Sequence, residues 1–475
     1  MKKFFALFLA LAMTMSLAAC GAKEDPAPSA SSAPAASSAA PADPRADWGP
    51  EPTGTTEVMV WTFYGEANKG YLQTIADEFN ASQDKYHVVI EAQGSQAEMN
   101  AKIQSTSQDE LPAMFHGAVE NVAMYDAADD YCVPLQEFID MDEEGWSELE
   151  NTWGAIRTAY QNDKGEQVGY PQGYSYGGLF YNKEMFEAAG IDATKILTMD
   201  DLYAAAEKLV KEGHTTYGTS FHTDGFYFNA ILGREGIAYY DNNNGYSGKI
   251  TKCLYEDDAT VNNAIKSMLS VYQNLHTNNY CVPYGADYNK EIIPMMADGS
   301  CASMMGVVSM TTKILKAVDG KFTVGIVPLP SATANGKRTG EAAGGTGNFI
   351  GNCSNKWAQQ GAYEFIKFAS GAEQAGYFAT ATGYLAPNSD AYNSDVYTAY
   401  LNETFPAISV VYDSLNGSDA SAANPYIPIS NEMKSANKLA IQTVAADPAA
   451  SIDGAIKTAC ETIQEAIDLY NLSNG

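Results

Sequence analysis

The chain has 475 residues, with 28 basic and 58 acidic side chains and a formal net charge of −30 at pH 7. So acidic a surface repels nucleic acid and anionic lipid, which excludes nucleic acid as a partner. Hydrophobic residues make up 45% of the chain and charged residues 18%, as in folded soluble proteins, and the length favours two or three domains.

The amino-terminal segment is typical of a secretory signal. Lys2 and Lys3 precede an apolar run that is shorter than the roughly 20 residues of a membrane-spanning helix. LAAC, ending at Cys20, resembles a bacterial lipobox, which implies diacylglyceryl transfer to Cys20 and removal of residues 1–19. Since two or more acyl chains, such as palmitate, anchor a protein stably, we expect it at the outer face of the cell membrane. An ordinary signal with an incidental cysteine is the alternative.

Residues 20–56 are expected to form a tether that follows the lipidated cysteine. Alanine, serine and proline dominate this stretch, and no apolar periodicity appears. Such a composition buries too little apolar surface to offset the entropy of ordering the chain. Trp48 is the exception, and we expect a loose contact between its ring and the folded body.

Alternating strand and helix patterns open the folded body. Apolar runs predict strands, and apolar residues at helical spacing predict amphipathic helices. Because strands that alternate with helices pair in parallel, we expect a parallel sheet covered by helices. The predicted elements are a strand at Glu57–Trp61, a helix with Leu72, Ile75, Ala76 and Phe79, a strand at Tyr86–Ala92, a helix at Glu98–Ser107 and a strand from Pro112.

The rest of the chain adds helices and further strands. Thr198 and Asp201 form a capping box, which predicts a helix through Leu209. The last helix carries an apolar face from Ile452 to Tyr470. The other predicted elements are a helix with an apolar stripe from Val261 to Leu275, strands near Cys301 and Phe322, and tight turns at Asn242 and Ala334. The fold class is therefore α/β with more than one sheet.

No pattern predicts a metal or a cofactor. The acidic stretch from Asp140 resembles a calcium loop, but Asn151 stands where the bidentate carboxylate is needed. The five histidines show no metal-ligand spacing, and the six cysteines after Cys20 form no CxxC pair. Export permits disulfides, and buried free thiols are the equal alternative.

Aromatic residues near strand ends suggest a binding site. Trp61 and Tyr64 stand at the end of the first predicted strand, and Tyr176 lies in a second aromatic stretch, YPQGYSYGG. Ligands of open α/β sheets bind beyond the carboxyl ends of the strands. Aromatic faces cover the C–H side of a sugar, while polar side chains bind its hydroxyl groups.

Three stretches together resemble family 1 extracellular solute-binding proteins, the receptors of carbohydrate ABC importers. They are LAAC, GLFYNKEMFEAAGI from Gly178 and ATGYLAPNSDAY from Ala381. The resemblance implies a periplasmic-binding-protein-like α/β fold with two discontinuous lobes joined by a hinge, and a ligand held between them. The implied lobes are 57–173 with 346–388, and 177–343 with 392–475.

The resemblance also implies ligand-binding positions, nearest to those of the glycerol-3-phosphate-binding branch. Besides Trp61 and Tyr176, which the aromatic pattern indicates, the implied binding residues are Tyr64, Glu66, Gln96, Glu120, Ser175, Gly344, Gly345 and Tyr384. That branch holds phosphate with an arginine near the carboxyl terminus, where this chain reads ANPYIPIS from Ala423. Because arginine is preferred for bidentate phosphate recognition, a neutral sugar is favoured here.

We therefore expect a monomeric, non-enzymatic receptor that delivers a sugar or an oligosaccharide to ABC permease subunits. Glycerol 3-phosphate or a glycerophosphodiester is the alternative ligand for the same fold. A secreted glycoside hydrolase is the alternative of another class, with Glu66 and Glu120 as the candidate carboxyl pair. A receptor that serves a sensor kinase instead of a permease is the third alternative.

Overall fold

The computed structural model describes residues 43–127, 130–221, 223–418 and 424–474. The signal, Cys20 and most of the predicted tether lie outside these residues. The chain divides into two units, Met1–Asp47 and Trp48–Gly475, and the account below concerns the second. None of the helices described combines the length and the apolar character that a membrane-spanning segment requires.

Six strands form the first sheet, namely β1 (Thr56–Thr62), β2 (Tyr86–Ala92), β3 (Met114–Ala118), β4 (Cys132–Val133), β5 (Tyr170–Ser175) and β9 (Gly344–Gly351). Its parallel part has β1 in the centre, hydrogen-bonded to β2 on one side and to β3 on the other. β9 continues the sheet antiparallel to β3, and its other edge pairs with β4 and β5. The parallel pairing predicted for the first three strands is confirmed.

A second sheet has three antiparallel strands in the order β7-β6-β8, with β6 at Gly177–Asn182, β7 at Ser303–Val307 and β8 at Val324–Val327. One residue, Tyr176, separates the end of β5 from the start of β6, so the chain passes from the first sheet to the second there. Leu179 and Phe180, adjacent in β6, are buried in two different apolar clusters. Because adjacent strand residues face opposite sides, the second sheet is covered on both faces.

Helices surround both sheets. The capping box of Thr198 and Asp201 is confirmed, as is the buried face of Leu72, Ile75, Ala76 and Phe79. The helices of eight residues or more are α1 (Glu66–Ser82), α2 (Gln96–Ser105), α3 (Met199–Lys211), α4 (Gly225–Glu235), α5 (Ala259–Thr277), α6 (Thr311–Val318), α7 (Lys356–Ser370), α8 (Ala372–Thr382), α9 (Ser409–Asn416), α10 (Ser430–Ala446) and α11 (Ile452–Ser473). Shorter helices span Val122–Asp126, Leu135–Asp140, Ser147–Glu150, Gly154–Ala159, Lys183–Ala188, Ile293–Asp298, Ser389–Tyr392 and Asp395–Ala399.

Two sheets with helices between their strands confirm the α/β fold class, whereas the exact lobe boundaries stay a prediction. Trp48, expected in the tether, packs its ring 5.4 Å from that of Trp357 and 6.1 Å from that of Phe138. The six cysteines that the structure describes are all buried and free. Of the two alternatives for the cysteines, the structure therefore has free thiols.

Candidate ligand-binding site

A cavity of about 270 Å³ is lined by residues from both sheets and the helices that follow their strands. On the first-sheet side, Phe63 follows β1, Gln96 begins the helix after β2, and Ala118 ends β3. These three strands are parallel, so their carboxyl ends lie at one edge of the sheet, where ligands of such sheets bind.

The backbone of β5 and β9 forms another wall of the cavity. Ser175 pairs with Gly344, and Tyr174 pairs with Gly345. Gly345 has a φ of +115°, and a Cβ atom at this residue would lie 2.2 Å from the carbonyl oxygen of Gly173. A residue with a side chain therefore cannot occupy this position without displacing β5.

The opposite wall comes from the loop after β7 and from two helices of the second-sheet side. Asp224 is the N-cap of α4, and its Oδ1 accepts a hydrogen bond of 2.9 Å from the backbone N–H of Phe226. Ser309 follows β7. Its Oγ lies 3.5 Å from the Oγ of Ser175, which lines the cavity from β5. Lys434 comes from α10.

The charged side chains of the cavity are one lysine and two acidic residues, which lie against each other. Lys434 Nζ lies 3.0 Å from Glu120 Oε1 and 3.5 Å from Asp224 Oδ1. Glu120 follows β3, so this ion pair connects the first-sheet side with α10 of the second-sheet side. The charge of Glu120 raises the pKa of Lys434, which keeps the amine charged, and both neighbouring carboxylates already compensate that charge.

Three aromatic rings give the cavity an apolar part. Phe63, Phe226 and Tyr384 line it and are partly exposed. The Tyr384 ring is stacked on that of Phe378, with centroids 6.2 Å apart and planes 6° from parallel. Burial raises the pKa of Tyr384, so its phenol stays neutral and keeps its proton for hydrogen bonding.

The structure brings six of the ten predicted binding residues together around this cavity. They are Gln96, Glu120, Ser175, Gly344, Gly345 and Tyr384. Their roles in binding stay a prediction.

The other four predicted residues do not line the cavity. Trp61 is only 6% exposed, and Lys102 Nζ lies 3.8 Å above its ring. Tyr64 is equally buried, with its ring 4.9 Å from that of His116. Glu66 is exposed at the start of α1. Tyr176 is buried at the crossing between the sheets, and its hydroxyl is 2.9 Å from Ser418 Oγ.

Sequence reasoning missed several lining residues, among them Asp224, Phe226 and Lys434. The pattern of Asp224 followed by Gly225 and aromatic residues is an N-cap signal and could have marked a helix start at the site. Lys434 gives no such signal, because a lysine in an amphipathic helix is ordinarily a solvated side chain. Within the described ranges, no cluster of three or more His, Cys, Asp or Glu side chains is arranged to hold a metal ion.

Comparison with known proteins identifies the family. The profile of the bacterial extracellular solute-binding proteins matches residues 74–404, well over half of the chain. The chain belongs to this family. The match begins in α1 and ends just before α9, so it includes strands of both sheets and most of the lining of the cavity. The resemblance inferred from the sequence is thus confirmed.

Two relatives of this solute-binding protein differ in their named ligands. It is 23% identical to the arabinooligosaccharide-binding protein of Bacillus subtilis (strain 168) over 328 residues, which are 68% of this chain and 71% of the relative. It is 26% identical to the sn-glycerol-3-phosphate-binding periplasmic protein UgpB of Brucella abortus (strain 2308) over 200 residues, 42% of this chain. That match spans less than half of UgpB, 46% of its length.

Among solved structures, the GacH receptor of Streptomyces glaucescens GLA.O, determined unliganded and in complex with acarbose, has a similar fold. The TM-score is 0.70 at 17% sequence identity, and the alignment covers 87% of this chain and 99% of GacH. At this identity the likeness shows the fold alone.

Proposed function

We propose that this solute-binding protein captures a neutral sugar or oligosaccharide in the cavity and delivers it to the permease of an ABC importer. The observation that carries the proposal is that partly exposed rings and hydrogen-bonding side chains from both sides of one cavity line it together. The arabinooligosaccharide-binding relative, aligned over more than two thirds of both chains, also supports a carbohydrate ligand.

The lining fits the two kinds of surface that a sugar presents. Phe63, Phe226 and Tyr384 offer apolar faces for C–H groups. Gln96 offers both donors and an acceptor, and the carboxylates of Glu120 and Asp224 accept hydrogen bonds from hydroxyl groups. No bond of the ligand is made or broken in this proposal, so the protein acts as a receptor.

The charge of the cavity favours a neutral ligand over a phosphate. Among the described lining residues, Lys434 is the one basic side chain, and two carboxylates already lie against it. A phosphate group would lie beside these carboxylates without an arginine to bind it. UgpB shows that glycerol 3-phosphate binders exist among the relatives, so this ligand class belongs in the test.

Isothermal titration calorimetry of the purified protein tests the proposal. The titrants are arabinose, arabinotriose, glucose, maltotriose, sn-glycerol 3-phosphate and glycerophosphocholine. We expect saturable binding of at least one carbohydrate that weakens when Tyr384 is replaced by alanine. If only the phosphate compounds bind, the ligand is the alternative one, glycerol 3-phosphate or a glycerophosphodiester. If none of the compounds binds, the proposal is contradicted.

We propose further that the protein is a monomer anchored at the outer face of the membrane through lipid on Cys20. The LAAC sequence supports the lipid anchor, and it lies outside the described residues. Mass spectrometry of the membrane-extracted protein should show an acylated amino-terminal cysteine, and the Cys20→Ser variant should appear in the medium. Wild-type protein released without acyl chains would contradict it.

A further inference from the structure

Two cysteines that are 207 positions apart in the chain lie next to each other. The thiol of Cys460, on α11, donates to the backbone carbonyl oxygen of Cys253 at 3.9 Å. The Cys253 thiol in turn donates a hydrogen bond to the Cys460 sulfur. Both side chains belong to one apolar cluster, where Cys253 is 2% exposed and Cys460 is 8% exposed. Neither of them lines the cavity, so the proposed binding of a sugar gives them no role.

The segment that carries Cys253 is held in a fixed register along α11. The side chain of Gln464 accepts a hydrogen bond of 3.0 Å from the backbone N–H of Cys253 and donates one of 2.9 Å to the carbonyl oxygen of Thr251. Further along the helix, Asn471 Nδ2 donates to the carbonyl oxygen of Ile250 at 2.9 Å. These hydrogen bonds fix the backbone of the segment against the helix. The two cysteine side chains therefore meet in the folded protein, as a disulfide requires.

The surroundings give the two thiols different reactivity. Burial raises the pKa of the Cys253 thiol, whereas the hydrogen bond from that thiol lowers the pKa of Cys460. The thiolate is the attacking form in thiol–disulfide exchange, and Cys460 is also the more exposed of the two. The pair thus has an attacking thiol, Cys460, beside a second thiol, Cys253, that can complete the exchange.

We propose that Cys253 and Cys460 are a site of oxidation, and that in the extracellular protein they form a disulfide that joins α11 to the segment before α5. The family to which the chain belongs is extracellular, and disulfides persist in such oxidising surroundings. In the structure both thiols are free, so it shows the reduced form of this pair.

The oxidant is a low-molecular-weight disulfide, and the exchange has two steps. The Cys460 thiolate attacks one sulfur of the oxidant, and the other sulfur leaves as a thiolate that takes up the proton lost by Cys460. The Cys253 thiol then gives up its proton and attacks the Cys460 sulfur of this mixed disulfide, which releases the second small thiol. Two protein thiols are oxidised to one disulfide, and one small disulfide is reduced to two thiols.

The disulfide stabilises an element that supports the cavity. α11 packs against α10, and α10 carries Lys434 of the lining. A disulfide restricts the unfolded chain, and the restriction is larger when more residues separate the two cysteines. With 207 positions between them, we expect the oxidised protein to have a Tm about 5 °C above that of the reduced protein.

Peptide mapping of the wild-type protein tests the proposal. The purified protein is incubated overnight with glutathione disulfide, denatured in N-ethylmaleimide and digested with trypsin without reduction. Trypsin leaves Cys253 in peptide 253–266 and Cys460 in peptide 458–475, and each of the other four described cysteines in a peptide of its own. We expect peptides 253–266 and 458–475 to be joined and the other four cysteines to carry maleimide. Maleimide on all six, or any other pairing, would overturn the proposal.

Thermal unfolding of the oxidised proteins gives a second measurement. The Tm of wild type should fall by about 5 °C when the reductant TCEP is added, whereas that of Cys460→Ser should not change. Cys353→Ser is the matched control, because Cys353 is also buried but its sulfur lies 3.5 Å from the carbonyl oxygen of Asn355. This variant should respond to TCEP as wild type does. A wild-type Tm that TCEP leaves unchanged, or an equal fall in Cys460→Ser, would overturn the proposal.

Discussion

At the scale of single residues, Lys434 holds together groups that are far apart in the chain. Its amine lies between Glu120 and Asp224, and its side chain is 30% exposed, against 14% for that of Glu120. An ion pair that is partly removed from water is stabilised by its mutual attraction, and loss of one partner leaves the other charge poorly solvated. The contact between Lys434 and Glu120 should therefore contribute to stability more than an exposed pair does.

A double-mutant cycle measures this contact. We expect Lys434→Met to lower the free energy of unfolding by about 1–3 kcal/mol, because two carboxylates lose their cation. Glu120→Gln should recover part of that loss in the double variant, which urea unfolding of the four proteins would show. The exposed pair Lys457 and Glu461, 3.8 Å apart on α11, is the matched control and should give almost no coupling energy. Equal coupling in both cycles would contradict the argument.

Glu341 is a buried carboxyl at the crossing between the two sheets. It accepts a hydrogen bond from the backbone N–H of Gly177, and its own backbone N–H donates to the Tyr176 hydroxyl at 2.7 Å. Burial raises the pKa of Glu341 to about 7, although the nearby Arg234 lowers it. The folded protein therefore holds this proton more tightly than the unfolded chain does.

This raised pKa predicts a pH dependence with a defined sign. Stability from the protonated carboxyl is fully present below the unfolded pKa and is lost as pH rises through about 7. Relative to wild type, the Glu341→Gln variant should therefore gain about 3 kcal/mol of unfolding free energy between pH 4 and pH 8. Urea unfolding at several pH values measures this difference. If the unfolding free energies of the two proteins change with pH in the same way, the prediction is contradicted.

At the scale of elements, the contact of β5 with β9 depends on a glycine. Gly345→Ala would place a Cβ atom against the Gly173 carbonyl oxygen and keep a positive φ. Gly285 has a comparable φ of +90° with nothing within 4 Å of a Cβ atom, so Gly285→Ala isolates the backbone cost. We expect a loss of about 1–2 kcal/mol at Gly285 and clearly more at Gly345, measured by urea unfolding. Equal losses would show that the sheet adjusts to the added atom.

The strands and helices of the body could be predicted because their signals are local. The apolar spacing of Leu72, Ile75, Ala76 and Phe79 is a property of one short segment, as is the capping box at Thr198. Parallel pairing of the first strands followed from the alternation of strands and helices. The α/β fold class could therefore be predicted mostly from the local spacing of apolar residues.

The binding site could be predicted only in part, because it depends on contacts between distant segments. Trp61 and Tyr64 were predicted because ligands of open α/β sheets bind beyond the carboxyl ends of the strands. However, the position of the second sheet decides which side chain near a strand end faces the cavity. Phe63 faces the cavity, whereas both of those rings are buried in the core of the first sheet. Lys434 and Glu120 are 314 positions apart, so no local pattern could join them.

At the scale of the whole molecule, the cavity and the chain crossings coincide. Tyr176 joins β5 to β6, and β9 returns the chain to the first sheet beginning with Gly344 and Gly345, both in the cavity lining. A ligand in the cavity would therefore contact both sides close to the segments that connect the two sheets. The net charge of −30 adds a long-range term, because it disfavours the approach of anionic solutes and has no effect on neutral sugars.

This arrangement predicts that a bound sugar draws the two sides together. A ligand shifts a conformational equilibrium only by binding one state better, and a closed cleft offers contacts from both sheets at once. We expect the radius of gyration, roughly 22 Å for a compact body of this length, to fall by about 1 Å when a binding sugar is added. Small-angle X-ray scattering measures this change, with a sugar that calorimetry shows not to bind as the control at equal concentration. An unchanged radius under saturating ligand would mean that the sugar enters a cleft that is already closed, and hinge closure would then not accompany binding.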